Sequence, residues 1–259
     1  MIWIIAGTRD SFNLIDKLQR YDKKILASVV TDYGRKKLAN KNIKIIKNKL
    51  QKEDMEELII KENIELLIDS THPFAEVVSQ NAIEVSQNID TKYIRFEREE
   101  IDLSHYSKKY IISVHSYKEA VLKAAKFENI FLTIGSNKLE YFTSQINDWQ
   151  HRLKARILAD SRFIKKAENL GFTPANIIAM QGPFSKKLNK ILMAESEADV
   201  IVSKASGNIG GLDTKIRAAV ELEIPIIIIK RQKLNYPLIF NKLEKLIDYC
   251  CSGVEKYND

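Results

Sequence analysis

Two cysteines, nine glycines and five prolines are all that 259 residues contain of those types, and no apolar run approaches the roughly 18 residues that a membrane helix needs. Cys250 and Cys251 are adjacent. They can neither close a loop nor build a tetrahedral metal site with His72, His105, His115 and His151, which show no ligand spacing. A disulfide framework and a protein metal site are set aside, and the thiols read as free groups on a terminal helix. The apolar stretch 224–229 contains Pro225 and reads as a buried strand. Met1 leads directly into Ile2-Trp3-Ile4-Ile5 without a basic leader or a small-residue cleavage site, so a cytoplasmic protein with no membrane partner is expected. A Gly-Lys-Ser/Thr triplet and the Ser-x-x-Lys and Gly-x-Ser-x-Gly nucleophile patterns are also missing, which argues against ATPase and acyl-transfer chemistry of those types.

What is present is a folding chain: apolar residues make up 45% and charged residues 29%, enough to bury real cores. The length suits two domains, because one core rarely keeps growing beyond about 250 residues. The formal net charge of +7 favours an anionic partner, or reflects lysine-rich usage spread over many surfaces. Basic residues are dispersed and no aromatic-basic stacking motif accompanies them, which argues against nucleic acid.

Short runs rich in isoleucine and valine alternate with amphipathic segments, the pattern of βα units around parallel sheets. Strands are predicted at 3–6, 25–30, 43–46, 66–69 and 93–96, with helices such as 55–61 and 75–88 between them. Further strands are predicted at 110–114, 130–134, 153–157, 177–180, 200–203 and 226–229. The acid-rich, strand-poor stretch 98–109 marks a linker, giving expected domains 1–98 and 99–259. Both are α/β in class, Rossmann-like open and mostly parallel sheets, with ligands expected at the carboxyl ends of the strands and in an interdomain cleft.

The first strand ends in Ala6-Gly7-Thr8-Arg9-Asp10-Ser11 before a helix, where Gly7 permits a tight turn and the helix N-terminus offers N–H groups to a phosphate. The full Gly-x-Gly-x-x-Gly fingerprint is absent, which leaves a plain strand-to-helix turn as the alternative. The second strand ends in Thr31-Asp32-Tyr33-Gly34-Arg35, at the position of the adenosine ribose in a dinucleotide fold. Asp32 suits a bare ribose while Arg35 and Lys36 suit a 2′-phosphate, so both cofactor types stay open.

The fourth strand ends in Asp69-Ser70-Thr71-His72-Pro73-Phe74-Ala75, with Pro73 expected in the first turn of the next helix and Thr71 or His72 at its cap. His72 reads as a proton donor, a nicotinamide partner or a structural hydrogen-bonder. Arg95 and Arg98 suit ligand carboxylates, or a surface ion-pair cluster with Glu97, Glu99 and Glu100. In the second half, Gly135-Ser136 and Gln181-Gly182-Pro183-Phe184-Ser185 close two strands where ligand loops belong. The run Ser203-Lys204-Ala205-Ser206-Gly207-Asn208-Ile209-Gly210-Gly211, with Lys215 and Arg217 on the following helix, joins backbone approach to positive charge.

Taken in order, Ala6-Gly7-Thr8-x-Asp10, Gly34-Arg35, Asp69-x-Thr71-His72-Pro73-Phe74-Ala75, Arg95-x-Glu97-Arg98, Phe131-Leu132-Thr133-Ile134-Gly135, Gln181-Gly182-Pro183-Phe184-Ser185 and Ser203-Lys204-x-Ser206-Gly207 resemble the precorrin-6A reductase family of vitamin B12 biosynthesis. Ala6 and Asp10 replace that family's usual first glycine and glutamate, and Glu99 and Gln232 stand where proline is common.

The resemblance implies hydride transfer from NADH or NADPH to (cobalt-)precorrin-6A, a polycarboxylate tetrapyrrole, and delivery of a proton to the neighbouring carbon. On this reading Gly7, Thr8, Arg9, Asp10, Thr31, Gly34, Arg35, Thr71, His72 and Pro73 hold the cofactor in the first domain. Arg95, Arg98, Gly135, Ser136, Ser185, Lys204, Ser206, Gly207, Lys215 and Arg217 hold the macrocycle, chiefly in the second, and Lys204, Ser206 or His72 delivers the proton. Lysine- and isoleucine-heavy usage suits a low-GC anaerobe and tilts the reading to the cobalt-containing ring. A non-catalytic nucleotide- or tetrapyrrole-binding module is the alternative, and the oligomeric state is open, a monomer included.

Overall fold

Strands of four or five consecutive apolar residues bury both faces, and that requires helices above and below the sheet. The computed structural model describes residues 1–207 and 210–252. The chain divides into two compact units, Met1–Glu99 with Lys233–Asp259, and Glu100–Gln232.

The first unit runs β1 (Ile2–Ile5), α1 (Arg9–Leu18), β2 (Ile25–Val29), α2 (Asp32–Leu38), β3 (Lys44–Lys47), α3 (Lys52–Lys61), β4 (Leu66–Asp69), α4 (Glu76–Asn88) and β5 (Lys92–Phe96). Side chains alternate across the sheet. Ile2, Ile4, Ala27 and Ile68 pack with Leu14, Ile15 and Leu18 of α1, while Trp3, Ile5, Leu26 and Leu67 pack on the other face with Met55, Ile59 and Ile83 of α3 and α4. Each fully buried isoleucine, leucine or methionine among them stabilises the fold by about 1.5–3 kcal/mol. Thr31 caps α2 by accepting from the Gly34 N–H at 3.0 Å. Gly34 is there for packing, since a Cβ on it would stand 3.1 Å from that of Val29.

The second unit runs β6 (Ile111–Val114), α5 (Tyr117–Ala124), β7 (Ile130–Thr133), α6 (Glu140–Thr143), α7 (Trp149–Arg152), β8 (Leu153–Ile157), α8 (Ser161–Asn169), β9 (Ile177–Ala179), α9 (Lys186–Glu195), β10 (Val200–Lys204), α10 (Leu212–Glu221) and β11 (Ile226–Ile229). The chain then returns to the first unit as β12 (Ile239–Phe240) and α11 (Leu243–Ser252). Two expectations change here. The expected single cut at 98/99 is replaced by a division in which 233–259 belongs to the first unit, because β12 pairs in parallel with β5 and Leu246 and Ile247 enter the core beside α1. Most of the expected linker 98–109 belongs to the second unit, where the Tyr106 hydroxyl donates to Asp213.

The sheets read β12-β5-β4-β1-β2-β3 and β6-β11-β10-β7-β8-β9, every pairing parallel. Both carry the doubly wound order. The connections leave in opposite directions at β1/β4 in one sheet and at β7/β10 in the other, and the carboxyl ends of those pairs are where such sheets bind ligands. No helix among the described residues is long and apolar enough to cross a membrane.

Candidate functional site

At the β1/β4 crevice Gly7 adopts φ +140° and is exposed, with no atom within 4 Å of the position a Cβ would take. Thr8 caps α1 by accepting from the Ser11 N–H at 3.1 Å, and its own hydroxyl donates across the crevice to the Ser70 carbonyl at 3.0 Å. Ser11 is fully buried, and its Oγ accepts from the N–H groups of Gly7 and Thr8 at 3.0 and 3.1 Å. Two of the N–H groups expected for a phosphate are therefore answered inside the loop. Arg9 stays exposed, and Asp10 pairs with Arg98 at 3.1 Å, joining the start of α1 to the end of β5. At the end of β2, Arg35 and Lys36 are exposed and Asp32 pairs with Lys47 at 2.5 Å.

The loop after β4 is held from below. Asp69, fully buried, accepts from the Thr71 N–H at 3.0 Å, the Thr71 hydroxyl at 2.7 Å, the Tyr93 hydroxyl at 2.9 Å and the Arg95 guanidinium at 2.8 Å. Arg95 also binds Glu97 at 2.7 Å and both the hydroxyl and the carbonyl of Thr71, and it lies 5.5 Å from the Tyr236 ring. With its guanidinium inaccessible and answered on every side, Arg95 is a structural cation, a correction to its expected place among the macrocycle contacts.

The capping expectation also changes. Drawing Thr71 inward makes residues 72–75 a turn closed by the Ala75 N–H on the His72 carbonyl at 2.8 Å, so Pro73 precedes the helix and Ala75 is its N-cap. The His72 Nδ1 accepts from the Phe74 N–H at 3.2 Å. The Ser70 hydroxyl is buried without a hydrogen-bond partner at the crevice itself. An open glycine backbone beside an unanswered hydroxyl fits the close approach of a dinucleotide.

In the second unit, Gly135 (φ +77°) opens the turn after β7 and Ser136 is buried behind it. Lys204 ends β10, and Ser206 and Gly207 (φ +76°) follow, both buried. Asn208 and Ile209 of the glycine-rich run lie outside the described residues. Arg231 tethers this loop by donating to the Ala205 carbonyl at 2.9 Å. Burial, reinforced by Lys138, pushes Lys204 down to about 8. Lys215 is buried on α10 and donates to the Ser203 hydroxyl at 3.0 Å. Burial first, then Arg156 and Lys204, push it down to about 7.

Arg217 does not join them. It pairs with Asp213 at 2.8 Å beside Tyr106, on the wall of a cavity of about 820 Å³. Ser185 is taken up as the N-cap of α9, accepting from Leu188 at 3.2 Å.

Sequence reasoning missed Ser11 and Arg156. Ser11 was visible as the third residue after a capping threonine. Arg156 was visible as one of two cations, with Lys154, in the short strand β8, and the one on a buried face is tolerated only with partners.

Two doubly wound sheets in one chain, one crevice lined by an open glycine loop and the other by buried cations, define a two-unit α/β protein of Rossmann-like fold. Residues 1–251 match the family described as Precorrin-6x reductase CbiJ/CobK. A cobalt-precorrin-6A reductase of Methanocaldococcus jannaschii is 38% identical over 248 residues, 95% of this chain and 96% of the relative. Another, from Priestia megaterium, is 34% identical over 249 residues, again 95% and 96%. The solved structure of CobK precorrin-6A reductase matches with TM-score 0.77 at 19% identity, covering 97% of this chain and 96% of that one, a likeness of fold. The chain belongs to the precorrin-6x reductase family and is an oxidoreductase acting on a corrin precursor.

Proposed function

We propose that this protein reduces cobalt-precorrin-6A to cobalt-precorrin-6B with NADH or NADPH, the first unit holding the cofactor and the second the macrocycle. The similarity to two relatives named for the cobalt-containing substrate supports the choice of ring. A bound reduced nicotinamide would supply the hydride, and the protein's own residues position the reactants.

Gly7, Thr8, Arg9 and the Thr71-His72-Pro73 turn form the cofactor wall, with Thr31 and Arg35 toward the ribose. Gly34 and Asp10 support that wall from behind. Since Asp32 is neutralised by Lys47, the basic end of β2 accommodates a 2′-phosphate as well as a bare ribose. Gly135, Ser136, Lys204, Ser206, Gly207 and Lys215 face the macrocycle carboxylates, and Arg98 and Arg217 are outer cations already paired with Asp10 and Asp213. Lys204, Ser206 or His72 delivers the proton. Lys204 has the strongest support, because a lysine lowered to about 8 gives up a proton near neutrality more readily than an ordinary one.

The observation that carries the reading is the contrast between the crevices, one open to a backbone-hugging ligand and the other lined by buried positive charge. Anaerobic absorbance tests it. Loss of the reduced-nicotinamide band on adding cobalt-precorrin-6A, with NADH or with NADPH, is the expected result. Silence with both, and again with the metal-free macrocycle, would overturn the reductase and leave a binding protein.

A further inference from the structure

Buried cations normally sit against carboxylates, because an unpaired charge taken out of water costs several kcal/mol. Arg156 and Lys215 do not. Arg156 is 6% exposed and Lys215 7% exposed, and among the described residues neither has a carboxylate within ion-pair distance. Their polar partners are neutral: Arg156 donates to the Asn189 side-chain oxygen at 2.8 Å, and Lys215 to the Ser203 hydroxyl at 3.0 Å.

The surroundings are built rather than accidental. The Arg156 guanidinium stacks 4.3 Å from the Phe184 ring and 5.6 Å from that of Phe131. Asn189 is itself buried and anchored by donating to the Phe184 and Ser185 carbonyls and to the Thr214 hydroxyl. The charges acting on Lys215 are Arg156 from β8 and Lys204 from β10, both positive, with Lys138 beyond Lys204. Nearby acids are engaged elsewhere, Asp213 with Arg217 and Tyr106, and Glu221 with Lys186 and Lys190. Three cations thus converge at the carboxyl ends of β8 and β10 with no counter-charge on Arg156 or Lys215.

We propose that Arg156, Lys215 and Lys204 form an oxyanion receptor inside the second unit, one that takes a proton from solution as it takes the anion. The ligand chemistry is a carboxylate or a phosphate oxygen, which a polycarboxylate macrocycle and a dinucleotide pyrophosphate both carry. Without the anion, burial first and then crowding by like charges favour the neutral amine of Lys215. An oxyanion beside it reverses that preference, and the amine becomes an ammonium by accepting one proton from water or buffer, with no other bond changed. The inference deepens the macrocycle-side assignment without depending on turnover.

Isothermal calorimetry in two buffers of different ionisation heat reads the proton, with a polycarboxylate porphyrin and inorganic pyrophosphate as probes and with the protons that the pyrophosphate itself exchanges subtracted from its own titration. At pH 8 one of the two binds with uptake of about 1.4 protons, about 0.9 from Lys215, which titrates near 7, and about 0.5 from Lys204, which titrates near 8, and at pH 6 the uptake falls to about 0.1. The arm that responds identifies the source of the oxyanion. Lys215→Met removes the larger share and leaves at most about 0.5 proton at pH 8, that of Lys204, and Arg156→Met weakens binding tenfold or more and reduces the uptake, because Lys215 then sheds one repelling neighbour.

Binding of neither probe, uptake equal at pH 6 and pH 8, or uptake undiminished by Lys215→Met overturns the receptor. The comparison of the two pH values uses the unaltered protein, so it stands even if a variant folds poorly. Proton-coupled binding without nicotinamide oxidation would remove the reductase reading alone.

Discussion

Arg95→Met should destabilise the first unit by about 3 kcal/mol, and the structure sets that magnitude. The Arg95–Asp69 pair is fully buried on both sides at 2.8 Å, and removing one partner of such a pair typically costs about 3–5 kcal/mol because the other charge is stranded. Asp69 would keep the Tyr93 hydroxyl and the two donors of Thr71, which places the loss at the lower end. Trp3 is the natural reporter. It is completely buried in the same unit, its indole N–H donates to the Ser28 hydroxyl at 2.9 Å, and Trp149 is the only other tryptophan. In a Trp149→Phe background, urea unfolding followed by Trp3 fluorescence should show a midpoint lower by about 1.5 M, taking a slope of about 2 kcal/mol per M. Adding Asp69→Asn should recover part of the loss, since the stranded charge is then gone. A midpoint moved by less than about 0.5 M would refute the view that this pair braces the loop after β4.

Gly7→Val should abolish cofactor binding, measured by quenching of nicotinamide fluorescence, because φ +140° is closed to a β-branched residue and the side chain would occupy the space the backbone leaves open; unchanged affinity would move the nucleotide to the second unit. Lys204→Ala should weaken macrocycle binding by about 1–3 kcal/mol through loss of a charge-assisted contact, read by equilibrium titration with the macrocycle. Stability of the second unit should rise with pH between about 7 and 10: Lys215 and Lys204 titrate low when folded and near 10.4 when unfolded, so the unfolded chain binds more protons in that window, and the slope reaches at most about 1.4 kcal/mol per pH unit for each. Thermal unfolding followed by Trp149 in a Trp3→Phe variant checks the sign, and Lys215→Met should flatten the curve.

The parallel sheets were legible because their strands are isoleucine- and valine-rich runs that nothing but burial on two faces explains, and β1, β4, β10 and β11 lie within a residue or two of where composition places them. β12 was not legible. The three residues between Pro237 and Asn241, two of them in the strand, are too few to show a periodicity, and the strand exists because Arg95 and Glu97 donate their N–H groups to the Leu238 and Phe240 carbonyls across the sheet edge. The loops at both crevices were found from their glycines and hydroxyls, but the partners of their side chains were not. Asp69 overrides the capping preference of Thr71, and Ser11 fills part of the expected phosphate cradle. Lys215 and Arg217 are two positions apart on a helix and so face away from each other, a separation that spacing alone could have revealed.

The return of the chain after Gln232 sets an order for biosynthesis. Every strand of the second sheet has been translated before β12, the last strand of the first sheet, reaches the end of β5. The unit begun first is therefore the unit finished last, the reverse of the usual progression in which N-terminal domains complete themselves during synthesis. Until α11 arrives, the face that receives Leu246 and Ile247 beside Leu14 and Leu18 stays uncovered. The nascent chain thus carries a first unit that lacks its edge strand and one covering helix through the whole time the second unit is being made.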